Sequence, residues 1–164
     1  MDYERVHRAY GPRVTGLCRL LLRDPEEAED IAQEVFLRAF EQLRTNQAPT
    51  VWEAWLVRVA VNACRDRQRS GWWKRRSRLV EVEEMEPQLL SLSSEEEASE
   101  REQRTRIWAQ LQKLRPKQRE IFVLRCVEGW STTETAQALG LSPGSVKTHL
   151  FRAIRHLRQA LEQL

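Results

Sequence analysis

Apolar residues recur at the spacing of an α-helix along almost the whole chain, and the alternation typical of β-strands is nearly absent. A first apolar stripe runs from about Tyr3 to Leu22, and Gly11-Pro12 within it predicts a kink or a break. A second helix is predicted from Asp24-Pro25, an N-cap followed by proline at the first helical position, to Leu43. The pattern therefore indicates an all-α fold.

A third helix is predicted to start near Thr50 and to continue towards Arg69, where it becomes strongly basic. Its inward-facing residues are expected to be Trp55, Leu56 and Val59. The helical pattern fails over residues 71–100, where glycine, proline, serines and clustered glutamates favour a flexible acidic linker. We therefore expect two small helical domains, residues 1–70 and 101–164, joined by this linker.

The second domain is predicted to begin with a helix whose apolar stripe is Ile107, Leu111 and Leu114. Pro116 then opens a new helix, because proline is well tolerated in the first helical turn. That helix is expected to end at Glu128-Gly129-Trp130 and to bury four apolar residues, Ile121, Val123, Leu124 and Val127.

The strongest local pattern is a helix, a tight turn and a second helix in the last third of the chain. Gly140 can adopt a positive φ and end the first helix, while Ser142 and Pro143 suit the N-cap and first position of the next. No acidic residue occurs from Ser142 to Arg158. The residues expected to face the core are Val146, Leu150, Ile154 and Leu157. The remaining face is polar and basic and suits the major groove of DNA.

Two features of this region have alternative interpretations. An ordinary helical hairpin with a solvated basic face would show the same periodicity. Phe151, on the outer face, could contact a thymine methyl group or simply pack against the domain, and the sequence does not separate the two.

Charge is unevenly distributed along the 164 residues, although the net charge is only +3. Residues 65–78 hold seven basic residues and one acid, whereas residues 81–102 hold nine glutamates and one arginine. This order indicates a nucleic-acid surface followed by a solvated segment. Trp72 and Trp73 lie among the basic residues and suit either stacking on bases or packing against the domain.

Cys18, Cys64 and Cys126 are far apart and lie in apolar helical patterns. Their number and spacing fit neither a zinc site nor a disulfide framework, so we expect buried, reduced cysteines in a cytoplasmic protein. The sequence predicts neither a signal peptide nor a membrane-spanning helix. We accordingly expect no metal and no direct membrane insertion, and the family resemblance described below implies neither a cofactor nor a small-molecule substrate.

Four segments, in order along the chain, together resemble the extracytoplasmic function (ECF) sigma factors, bacterial RNA polymerase subunits with sigma regions 2 and 4 only. Residues 24–40 (DPEEAEDIAQEVFLRAF) and 55–69 (WLVRVAVNACRDRQR) are similar to region 2. Residues 114–122 (LRPKQREIF) and the helix-turn-helix are similar to region 4. The resemblance implies an alternative sigma factor that binds core RNA polymerase, recognises promoter DNA and helps to melt it.

The resemblance also implies roles for matching residues. Core polymerase would contact the second helix at Asp30, Ile31, Gln33, Glu34, Phe36 and Leu37. Minus-ten DNA would be bound through phosphates by Arg65, Arg67 and Arg69, and through an unstacked base by Asn62, in a loop. Minus-thirty-five DNA would be contacted by Arg125, Ser145, Lys147, Thr148, Phe151, Arg152 and Arg155. From the residues alone, a solvated face is the favoured interpretation of Asp30 and Glu34, and Asn62 could simply break the helix.

Other functions compete with this interpretation. A stand-alone helix-turn-helix regulator would need a ligand pocket or a symmetric interface, and the asymmetric two-domain layout argues against it. A di-metal enzyme in a helical bundle would need Glu-x-x-His pairs, and the three histidines do not follow that spacing. Family resemblance further implies control by an anti-sigma factor that covers the polymerase and DNA surfaces.

Overall fold

The computed structural model describes residues 2–70 and 98–163, and the chain divides into two units, residues 1–83 and 84–164. Every regular element in the described residues is helical, which confirms the all-α fold class. Of the linker predicted over residues 71–100, residues 71–97, with Trp72 and Trp73, lie outside the described residues. None of the described helices is both long enough and apolar enough to cross a membrane.

The first unit is a bundle of three helices, α1 (Tyr3–Leu21), α2 (Pro25–Arg44) and α3 (Trp52–Arg69), each of which packs on the other two. Asp24 is the N-cap of α2, as predicted, and its side chain accepts hydrogen bonds from the amides of Glu26 and Glu27. The core of this unit contains Val6, Val14, Leu17, Cys18, Ile31, Val35, Leu56, Ala60 and Cys64.

Two expectations for this unit need correction. The break expected at Pro12 does not occur, because α1 continues through it. Pro12 and Arg8, four residues earlier, are both exposed, so the carbonyl group that loses its helical partner lies on the solvent side. Trp55 and Val59 are only half-buried, and the buried face of α3 instead contains Trp52, Leu56, Val57, Ala60, Val61, Ala63 and Cys64.

The second unit contains α4 (Ala98–Lys113), α5 (Pro116–Phe122), α6 (Thr132–Leu139) and α7 (Pro143–Glu162). The long helix α7 is the centre of this unit, because α4, α5 and α6 all pack against it. The core contains Leu111, Leu114, Ile121, Val123, Leu124, Ala136, Leu139, Val146, Ala153 and Leu157. Helical order begins at Ala98 rather than near Arg101.

A π-helical turn, Val123–Val127, follows α5 directly. Its hydrogen bond from the amide of Glu128 to the carbonyl oxygen of Val123 spans five residues and measures 2.9 Å. The wider turn changes which side chains face inwards: Val127 is 52% exposed and Cys126 is exposed. The predictions that Val127 and Cys126 are buried are therefore wrong, whereas Cys18 and Cys64 are buried as expected.

Candidate protein and nucleic-acid interfaces

The helix-turn-helix has the turn geometry that the sequence predicts. Gly140 ends α6 with φ 64° and ψ 37°, in the left-handed region that glycine adopts without strain. The amide of Leu141 donates to the carbonyl oxygen of Ala136 at 2.9 Å, which satisfies one of the last carbonyls of α6. Ser142 is the N-cap of α7, and its hydroxyl oxygen accepts from the amide of Ser145 at 3.1 Å. These hydrogen bonds close a tight turn between α6 and α7.

One face of α7 collects most of the residues expected at the minus-thirty-five element. Lys147, Thr148, Phe151, Arg152 and Arg155 are all exposed, whereas Ser145 is half-buried. The ring of Phe151 is 65% exposed and lies among polar and basic residues. An apolar ring in that position gains stability only when a partner covers it.

The opposite face of α7 anchors it in the domain. Val146 and Leu157 are buried, and Leu150 and Ile154 are half-buried, so the predicted inward stripe is confirmed in outline. Ala153 is also buried, and sequence periodicity missed it. The basic face therefore projects from a helix whose rotation is fixed by packing.

Lys117 in α5 adds to the positive potential around α7, and sequence reasoning did not select it. The pKa of His149 is lowered from its ordinary value, first by burial and then by the positive charges of Lys117 and Arg152. The Nδ1 atom of His149 is buried and has no hydrogen-bond partner in the described residues. The influence of Lys117 on this imidazole indicates that the amino end of α5 contributes to the same positive region as α7.

Arg125 lies in the π-helical turn and not on α7. Its Nη1 donates to the carbonyl oxygen of Trp130, in the loop that precedes α6. At least one of its donors is thus used inside the domain, where it holds that loop.

An exposed strip of α2 combines acidic, polar and apolar side chains. Asp30, Gln33 and Leu37 are exposed, and the half-buried Glu34 pairs with Arg38 at 2.5 Å. Leu37 is 67% exposed, and Phe40, one turn further along α2, is 49% exposed. The ring of Phe40 makes an edge contact with the ring of Tyr3, with 5.5 Å between the ring centroids. Sequence reasoning missed the contribution of Phe40, although the i, i+3 spacing from Leu37 indicates it.

Two of the residues expected on this strip lie in the core instead. Ile31 is 1% exposed and Phe36 is 3% exposed. The ring of Phe36 packs against the imidazole of His7, with 4.6 Å between the ring centroids. Ile31 and Phe36 support the strip from beneath and do not present a surface to a partner. Of the six predicted contact residues, Asp30, Gln33, Glu34 and Leu37 are therefore the ones that reach the surface of α2, together with Phe40.

The basic end of α3 differs from its sequence-based description. Asn62 is exposed but lies within the helix, which continues to Arg69, so it neither breaks the helix nor sits in a loop. Arg69 is exposed and Arg65 is half-buried. Arg67 forms an ion pair with the buried Glu27 of α2.

Comparison with known proteins agrees with the two-unit organisation. Residues 6–74 match the family described as Sigma-70 region 2, and residues 104–157 match Sigma-70, region 4. The RNA polymerase sigma-E factor of Streptomyces coelicolor is 34% identical over 162 residues, which cover 98% of this chain and 86% of that protein. This chain belongs to the ECF sigma factors. It is an alternative RNA polymerase sigma factor that directs transcription initiation.

Other sigma-factor relatives are similar along most of their length. The sigma factor CarQ of Myxococcus xanthus is 31% identical, and the match covers 90% of its length. The ECF sigma factor SigW of Bacillus subtilis is 29% identical, and the match covers 86% of its length. The fold is also that of the sigma factor RpoE in its complex with the anti-sigma factor NepR from Bartonella quintana. That match has a TM-score of 0.74 and 20% identity, and it covers 98% of this chain and 97% of the other.

Proposed function

We propose that this ECF sigma factor divides promoter recognition among three surfaces. The exposed strip of α2 binds core polymerase, the basic end of α3 binds the minus-ten region and the strand that is opened there, and the outer face of α7 reads the minus-thirty-five element. The protein has no catalytic activity of its own and supplies sequence recognition and strand opening to the polymerase. The observation that carries this proposal is the exposed, acid-free face of α7 on a capped helix-turn-helix.

The α7 face supports readout of duplex DNA on two grounds. Lys147, Arg152 and Arg155 supply positive charge for phosphates, whose contacts fix orientation but carry no sequence information. Thr148 and Phe151 supply a hydroxyl and an apolar ring for base edges. Ser145 on α7 and Arg125 in the π-helical turn, each engaged in a local hydrogen bond, would add further phosphate contacts.

The α2 strip supports a protein partner rather than nucleic acid. Asp30 and Glu34 would repel phosphates, whereas the neighbouring Leu37 and Phe40 present exposed apolar area. A partner with basic and apolar groups at helical spacing fits this mixture.

The end of α3 supports contact with DNA through different chemistry. Arg65 and Arg69 bring positive charge, and the exposed amide of Asn62 can both donate and accept hydrogen bonds at a base edge. Extruding a base costs a few kcal/mol of stacking, so such a contact is needed to hold it.

We also propose that an anti-sigma factor regulates this protein by covering these surfaces. RpoE, which shares the fold, is seen in complex with the anti-sigma factor NepR, and CnrH is seen in complex with the cytosolic domain of CnrY. The exposed apolar residues of α2 are suited to such a partner as well as to polymerase, so the two would compete.

The decisive experiment compares two single variants in reconstituted bacterial holoenzyme. Arg152→Ala should weaken binding to promoter DNA about tenfold or more, with affinity for core polymerase unchanged. Glu34→Lys should weaken binding to core polymerase about tenfold, with little effect on binding to upstream DNA by the residual holoenzyme. Run-off transcription on genomic fragments, with 5′ ends sequenced, supplies the promoters.

Matched controls are Arg101→Ala in α4 and Glu4→Lys in α1, both at exposed positions outside the proposed surfaces. If both test variants reduced both affinities equally, the division of labour would be wrong. Tight duplex binding by the protein alone, with no new transcription starts, would instead favour a stand-alone regulator.

A further inference from the structure

The last turn of α3 is fastened at two adjacent residues to the corner between α1 and α2. Gln68 donates from Nε2 to the carbonyl oxygen of Leu21 at 2.8 Å, at the final residue of α1, where helical carbonyls lack helical partners. Arg67 pairs through Nη1 with Oε2 of Glu27, in the first turn of α2. One turn of α3 thus contacts the end of one helix and the start of the next.

The burial of this ion pair is asymmetric. The Glu27 side chain is 4% exposed, whereas that of Arg67 is 28% exposed. A carboxylate so deeply buried is strongly disfavoured without a cation, so the guanidinium is held inwards by its partner. A DNA phosphate would have to compete with this buried carboxylate for Arg67, whereas no ion pair is seen at the exposed Arg69 within the part of the chain that the structure describes.

The helix also ends at the fastened turn. The hydroxyl and the amide of Ser70 both donate to the carbonyl oxygen of Arg67, at 2.8 and 3.2 Å. The direction of the last basic residues of α3 is therefore set relative to α2, which carries the proposed polymerase-binding strip. Glu34 of that strip and its ion-pair partner Arg38 line the same open groove as Asp66 and Arg67 of α3.

We propose that Arg67 is a positioning residue and not a phosphate ligand: held by Glu27, it fixes the DNA-binding end of α3 against the polymerase-binding helix α2. This inference rests on the proposed role of α3 in binding promoter DNA. It replaces the sequence-based assignment of Arg67 to phosphate contact, and it leaves Arg65 and Arg69 in that role.

Salt dependence separates the two roles, because each phosphate contact contributes about 0.9 to the slope of log affinity against log salt for duplex DNA and about 0.7 for single strands. The experiment uses full-length variants in holoenzyme on a promoter fragment identified by run-off transcription. Arg69→Gln should make this negative slope shallower by about 0.7 to 0.9. Arg67→Gln should leave the slope unchanged but reduce the open-complex fraction, read by permanganate reactivity of thymines, about 2- to 30-fold.

Two further variants supply readouts that a general loss of folding would not reproduce. Glu27→Gln should reduce opening as much as Arg67→Gln, and the double variant should be no worse than either, since both remove one interaction. Arg67→Lys keeps a charge available to a phosphate but loses the guanidinium whose Nη1 reaches Oε2 of Glu27, so it should also reduce opening. The exchange Glu27→Arg with Arg67→Glu should recover part of the loss.

Three results would overturn the positioning role: a slope lowered by about 0.9 in Arg67→Gln, normal opening in Arg67→Lys, or additive effects of Glu27→Gln and Arg67→Gln. Failure of the proposed function looks different. In that case Arg69→Gln would leave both slope and opening at wild-type values while Arg152→Gln still lowered the slope. Affinity for core polymerase is measured in parallel for every variant and is expected to stay within about twofold of wild type.

Discussion

Ser131 and Glu134 cap the first helix of the helix-turn-helix reciprocally. The amide of Glu134 donates to the hydroxyl oxygen of Ser131 at 3.0 Å, and the amide of Ser131 donates to Oε2 of Glu134 at 2.7 Å. Each bond satisfies an amide that the helix leaves without a partner. Because α6 has only eight residues, its start depends strongly on this pair.

Replacing Ser131 by alanine should lower the free energy of unfolding of the second unit by about 1 kcal/mol, since the hydroxyl acceptor is lost. Urea titration followed by circular dichroism measures the change. Ser131→Asp is the control and should retain most of the stability, because a carboxylate also caps this position and favours the helix N-terminus. Equal stability of the alanine variant and the wild type would contradict a stabilising cap.

A pair of glycines in the same motif should respond to alanine in opposite directions. Gly140 has φ 64°, and although its added Cβ would meet open space, the backbone conformation itself should cost about 1–2 kcal/mol. Gly144 lies inside α7 and also has open space for a Cβ, so Gly144→Ala should stabilise by about 0.4–1 kcal/mol. Urea midpoints that moved in the same direction would rule out backbone conformation as the cause.

The second unit should lose stability as the pH falls through the range in which His149 titrates. Burial, Lys117 and Arg152 lower the pKa of His149 in the folded state below its ordinary value of 6.5. The unfolded chain therefore binds the proton first as the pH falls, and the free energy of unfolding decreases below about pH 6.5. In thermal melts between pH 7.5 and 5.5, the melting temperature of His149→Gln should fall less with decreasing pH than that of the wild type. The same fall in both proteins would contradict this role of His149.

Phe151 should recognise a thymine methyl group. At 65% exposure its removal should change stability by less than about 0.5 kcal/mol, so Phe151→Ala tests binding alone. The test uses promoter duplexes in which deoxyuridine replaces one upstream thymine at a time. At one position the wild-type protein should lose about 0.8 kcal/mol of binding free energy, or about fourfold in affinity. The alanine variant should not distinguish thymine from uracil there, and persistent discrimination would assign the contact to another residue.

The predictions that held were those governed by local chemistry. The N-cap at Asp24, the left-handed Gly140 and the capped start of α7 follow from what a few adjacent residues can do with their own backbone. The one-sided face of α7 follows from helical spacing and the absence of acids. These features need no knowledge of neighbouring helices.

The errors came from packing that periodicity does not encode. Ile31 and Phe36 match a family contact motif, yet the three-helix core covers them. The ion pair of Arg67 with Glu27, which is 40 residues away in sequence, is likewise invisible to helical periodicity. Val127 keeps the apolar spacing of α5, but the π-helical turn changes the number of residues per turn. Only the tertiary fold determines these three outcomes.

The π-helical turn holds one residue more than an α-helical turn, because its hydrogen bond spans five residues instead of four. Deleting one residue within Val123–Val127 should let the turn close with ordinary helical winding and remove the hydrogen bond from Glu128 to Val123. The hydrogen bond from Arg125 to the carbonyl oxygen of Trp130 depends on the same winding, so the loop before α6 should lose this contact as well. The extra residue thus serves to attach that loop to the helix that precedes it.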